Sequence, residues 1–217
     1  MGHETENTVA SIQKALELGV DMIEVDVFKI KSGEIVVFHD DTVDRLSDGE
    51  GNVEDYKWTD LQRLNLTGNR KIPLLTDILD AIAHKVPLNI ELKGAGAASD
   101  VNIIIQKYIE KKGWELGDFL ISSFDWNELK LMRQINPEIP IGVLTEDNPL
   151  DAIPLALELK AVSINPDFGT LTPETSRILR TNGFKVYPWT VNQKTDIYKM
   201  KEMKVDGIFT NYPERAR

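Results

Sequence analysis

Cysteine is absent from the 217 residues. That removes disulfides, zinc–thiolate sites and thiol nucleophiles from consideration, and it leaves the redox compartment open. Positive charge is scarce. Lys and Arg number 25 against 35 Asp and Glu, a net charge of −10. Such a chain is a poor partner for nucleic acid or an anionic membrane, both of which are met by clustered Lys and Arg. No apolar run approaches the ~20 residues that a membrane-spanning helix needs. The opening Met1-Gly2-His3-Glu4 has neither the basic start nor the apolar stretch of a secretory signal. A cytoplasmic location is expected, or a periplasmic one if a leader precedes these residues. The first strand is not followed by a glycine-rich phosphate loop.

The apolar fraction, 41%, is enough to build a sizeable core, and its pattern alternates between two periods. Helical periodicity marks 6–18, 76–84, 100–112, 127–135, 151–159, 172–181 and 194–203. Strand character marks 22–28, 35–38, 87–92, 119–124, 139–144, 161–164, 185–191 and 207–210. Strands alternating with helices of this length predict β/α units on a parallel sheet. About seven such units in a chain of this size fit a TIM (β/α)₈-type barrel better than a doubly wound sheet. The stretch 42–71 is polar and weakly periodic, and reads as a small surface insertion in one domain spanning 1–217.

In such a barrel, chemistry collects at the C-terminal ends of the strands. The strand "MIEVDVF" carries Glu24 and Asp26 two residues apart, so both carboxylates share a face. Its other face is Ile23, Val25 and Val27. The strand "NIELK" adds Glu91 and, on the same side, Lys93. Three acids in one barrel mouth repel one another, and a hard cation with oxygen ligands, Ca²⁺ or Mg²⁺, is the natural neutraliser. The plainer alternative is pairing with Lys or Arg, and a Lys93–Glu91 ion pair is one case of it. Lys93 could otherwise face an anionic group of a ligand. His39 ends the strand 35–38 beside the acids, where general acid–base work is open to it. Trp189 stands at a strand end and could wall a pocket. His3 and His84 have no such setting, and Trp58, Trp114 and Trp126 read as packing.

The stretch "ENTVASIQKALELGVDMIEVDVFKIKSGEIVVFHDDTVDR", with the later "NIELK" and "DGIFTNYP", resembles the glycerophosphodiester phosphodiesterase family over nearly the whole chain. The resemblance implies a (β/α)₈ barrel with a small insertion, at 42–71 here. It also implies a Ca²⁺- or Mg²⁺-dependent hydrolase that converts a small glycerophosphodiester to glycerol 3-phosphate and an alcohol. Carried over, Glu24, Asp26 and Glu91 are the metal ligands, His39 is the acid that protonates the leaving alkoxide, and Lys93 is the phosphate contact. Glu6 and Asn7 line the site. Thr5 stands where the family has proline, and Asn211 where aspartate is common. The family's His-Arg-Gly strand is not in this sequence. Its absence sets three expectations. Ten or more residues precede Met1 and carry that strand. A slot lies between 22–27 and 207–210. The chain as given is weakly active or inactive. Two other functions stay open: a barrel that binds metal and phosphodiester without turnover, and a lysophospholipase D-type activity.

Overall fold

The computed structural model describes residues 2–217. Its elements alternate as the periodicity predicts. They are α1 Val9–Glu17, β1 Ile23–Lys29, β2 Ile35–Val37, α2 Trp58–Leu61, α3 Leu75–Ile82, β3 Leu88–Leu92, α4 Ala98–Lys112 and β4 Phe119–Ser123. Then follow α5 Trp126–Ile135, β5 Ile141–Thr145, α6 Ile153–Glu158, β6 Ser163–Pro166, α7 Pro173–Thr181, β7 Lys185–Val186 and α8 Lys194–Glu202. Seven strands form one sheet in the order β2-β1-β3-β4-β5-β6-β7. All neighbours are parallel except the hairpin β1–β2. The architecture is that of a (β/α)₈-type barrel.

Local chemistry explains the element ends. Thr8 caps α1 by accepting from the Ser11 amide, while Ser11 accepts in turn from Thr8. Thr172 and Thr175 do the same for α7, with Pro173 in its first turn. Gly113 ends α4 at φ 76°, a left-handed cap that glycine adopts without penalty. The hairpin turns at Ser32-Gly33, where the Gly33 amide donates to the Ile30 carbonyl at 2.8 Å.

Strand parity then sorts the side chains. Ile23, Val25 and Val27 face the helices and join Leu88, Ile90, Leu75, Ile78 and Leu79 in the main core. The barrel interior is unusually polar. Register pairs Asp26 with Glu91, Glu91 with Ser122, Ser122 with Gly142 and Gly142 with Ser163. Gly142 is required there. A Cβ would stand 2.7 Å from Ser163 Oγ and 2.8 Å from Asn165 Nδ2.

The stretch 42–71 is more than a polar excursion. Val43, Val53, Leu61 and Leu66 build a second, small core with Phe28, Ile30, Val36 and Phe38 on the other face of the hairpin. The last two strand expectations shorten. The regular ladder of β7 ends at Val186, and Pro188 beyond it has no amide to offer the 207–210 side. The chain still tracks β6 through the Trp189 amide, which donates to the Pro166 carbonyl at 3.0 Å. The stretch 207–210 is not a regular strand. It lies beside the β7 extension, with the Phe209 amide donating to the Pro188 carbonyl and the Val191 amide to the Phe209 carbonyl, at 2.9 and 2.8 Å. Among the described residues, no backbone hydrogen bond joins 207–210 to 22–27, so the sheet stays open along that line.

Candidate active site

Asp26 and Glu91 are register partners on adjacent strands, and Glu24 is one inward position below Asp26. Geometry therefore brings the three expected ligands together. One carboxylate oxygen from each lies within 4.8 Å of the others. The cluster is deep: Asp26 is 5% exposed. Glu24 Oε1 and Glu91 Oε1 are buried without a hydrogen-bond partner. Lys93 Nζ lies 3.5 Å from Glu91 Oε1, an ion pair too long to count as a good hydrogen bond.

This electrostatic arrangement is costly without a further positive charge. Burial, then the charges of Asp26 and Glu91, push the Glu24 carboxyl well above its ordinary range. Burial and Asp26 push Glu91 up to about 7. Burial also raises Asp26, against the opposing pull of His39 and of the Asn7 hydrogen bond. One ammonium cannot offset three buried carboxylates. Unpartnered oxygens, hard donors and mutual repulsion all fit a divalent cation.

Asn7 clamps one of these carboxylates. Its Nδ2 donates to Asp26 Oδ2 at 2.9 Å, and its Oδ1 accepts from the Asp26 amide at 3.2 Å. The clamp needs Asn7 at φ 54°, a left-handed conformation that asparagine tolerates better than most residues. His39 Nδ1 is 2.6 Å from Asp40 Oδ1. Arg45 grips Asp40 through Nε at 2.5 Å and Nη2 at 3.0 Å, and the same Nη2 donates to Glu6. Trp189 packs edge-on against Phe124 with ring centroids 5.3 Å apart, and its Nε1 donates to the Asn165 carbonyl at 2.8 Å.

The polar residues at the end of β4 are turned to structural use. Ser122 Oγ donates to Asn89 and Ser123 Oγ to the Leu92 carbonyl. His3 meets Glu214 and the Tyr212 ring, and His84 packs on Trp114. Asp40 and Arg45 were not among the sequence candidates. Their one signal is position: an acid directly after His39, and a lone arginine after the acidic run Asp40, Asp41 and Asp44.

A parallel barrel with a buried carboxylate cluster, a lysine and a histidine at its mouth has the equipment of a hydrolase acting on phosphate esters. The comparisons with known proteins agree. The model of the glycerophosphoryl diester phosphodiesterase family matches residues 2–215. A glycerophosphodiester phosphodiesterase of Caldanaerobacter subterraneus subsp. tengcongensis is 35% identical over 96% of this chain and 89% of its own length. One from Bacillus altitudinis is 32% identical over 99% and 92%. The structure of an Oleispira antarctica phosphodiesterase in complex with its product sn-glycerol-3-phosphate has a TM-score of 0.89 and 25% identity, covering 99% of this chain and 91% of that one. The chain belongs to the glycerophosphoryl diester phosphodiesterase family.

Proposed function

We propose that the protein is a divalent-cation-dependent hydrolase that cleaves glycerophosphodiesters to glycerol 3-phosphate and an alcohol, working as one domain with 42–71 as its insertion. The observation that carries this reading is the convergence of the buried Glu24, Asp26 and Glu91 carboxylates within 4.8 Å, beside Lys93. These three would hold the cation, which would supply positive charge to the phosphodiester as negative charge builds in the transition state. Lys93 gives a second positive charge to a phosphate oxygen. Asn7 fixes the position of Asp26. His39 gives its proton to the departing oxygen as the P–O bond to the alcohol breaks and a new P–O bond forms to water, or first to the glycerol hydroxyl, giving a cyclic phosphate that water then opens. Trp189, with Phe124, offers an apolar wall to the glycerol or head group.

The test is hydrolysis of glycerophosphocholine by the full natural chain, with glycerol 3-phosphate measured directly. Turnover is expected with Ca²⁺ or Mg²⁺ and not with chelator. His39→Ala is expected to lower kcat by about 10²–10⁴. Binding of cation and phosphodiester with no turnover under any divalent cation would mark a binding barrel instead.

A further inference from the structure

We infer that Arg45 is a positioning residue for the proton donor: through Asp40 it fixes which nitrogen of His39 faces the mouth, and through Glu6 it ties that pair to the segment carrying Asn7. The inference rests on the role given to His39 above. The side chain of His39 is 46% exposed, so packing alone does not orient it. Among the described residues, the hydrogen bond its ring makes is the one to Asp40. Asp40 is in turn held by two guanidinium nitrogens at 2.5 and 3.0 Å, the forked geometry that arginine offers a carboxylate and lysine does not.

The consequence for His39 follows from donor and acceptor roles. A carboxylate gripped by a guanidinium stays ionised, and an ionised carboxylate only accepts. Arg45, helped by His39, holds the Asp40 carboxyl down at about 2. Nδ1 of His39 must then carry the hydrogen, which leaves Nε2 as the atom that takes and gives a proton. The same Nη2 of Arg45 also reaches Glu6, whose side chain is 10% exposed. Glu6 precedes Asn7, the clamp on Asp26. One guanidinium thus braces the proton donor against the segment that sets a carboxylate of the cation site. Glu6, His39 and Asp40 also lie within 4.8 Å of one another as a candidate metal cluster. The guanidinium already supplies the positive charge there, and a metal would have to displace it.

The experiment uses the full natural chain with two substrates that differ only in the leaving group. Glycerophosphocholine releases an alkoxide that needs a proton. The 4-nitrophenyl ester of glycerol 3-phosphate releases a phenolate that does not. Arg45→Ala is expected to lower kcat on the first ester by about tenfold or more, up to the loss seen for His39→Ala. KM should stay within about twofold, because no substrate contact is removed. On the nitrophenyl ester both variants should stay close to wild type. The double variant should be no worse than His39→Ala alone, since both changes remove one function. Arg45→Lys keeps the charge without the fork and should fall between wild type and Arg45→Ala. Equal losses on both esters, or losses that multiply in the double variant, overturn the inference and leave the proposed function standing. A wild-type protein that hydrolyses neither ester removes both.

Discussion

Asn7 concentrates several demands in one side chain. It must adopt a left-handed backbone conformation, donate to Asp26 Oδ2 and accept from the Asp26 amide. Orienting partners of metal ligands typically matter 10- to 100-fold in affinity. Asn7→Ala should therefore weaken Ca²⁺ or Mg²⁺ binding by about that factor, read by calorimetric titration, with the fold intact by circular dichroism. An unchanged dissociation constant would show that Asp26 needs no clamp. The sequence made the carboxylates readable, because a period of two puts Glu24 and Asp26 on one face and a barrel puts Glu91 beside them. It did not make the clamp readable, since Asn7 reaches Asp26 only through an unusual φ. Arg45 was hidden for a similar reason. Its partner Glu6 is 39 residues away, and the segment around Arg45 has no periodicity to fix its direction.

At the scale of elements, α4 shows how one helix borrows from another. None of its own side chains caps its N-terminus. Glu128 of α5, 6% exposed, accepts from the Gly96 and Ala98 amides at 2.7 and 3.0 Å. Those amides sit at the positive end of the helix, where a carboxylate is favoured. Glu128→Ala would leave two amide donors without their acceptor, at a cost of about 2–4 kcal/mol in urea unfolding. A change below about 0.5 kcal/mol would mean that water replaces the carboxylate without loss. The helices other than α2 and the first six strands were legible because each has a clear period, sharpened at several ends by a boundary residue such as Thr8, Gly113 or Thr172; α2, within 42–71, was not. The end of the barrel was less so. "KVYPWTV" has strand composition, but Pro188 interrupts its donors, and 207–210 meets it through separate hydrogen bonds rather than a ladder. The small core of 42–71 escaped notice because Val43, Val53, Leu61 and Leu66 are spaced without any helical or strand period.

The whole molecule carries a net charge of −10, and the Glu24, Asp26 and Glu91 carboxyls converge inside its barrel. All three carboxyls are pushed up in the folded chain, Glu91 to about 7. A carboxyl raised by folding binds protons that the unfolded chain has already released. Its stabilising effect is complete below the ordinary carboxylate range and is lost as pH rises through the folded value. In chelator, this cluster should therefore make the protein less stable from roughly pH 4.5 to above 7. The opposite pull of Asp40, held down at about 2 by Arg45, acts mainly below that window. A cation between the carboxylates replaces the protons, so its stabilising effect should grow with pH. The rise in Tm on adding Ca²⁺ or Mg²⁺ should be larger at pH 8 than at pH 5, and Glu91→Gln should flatten the difference. Sodium chloride at matched ionic strength separates this from general screening, which acts on exposed charges far more than on buried ones. An equal rise with sodium chloride, or a divalent-cation effect that shrinks as pH rises, would detach the carboxylate cluster from cation binding.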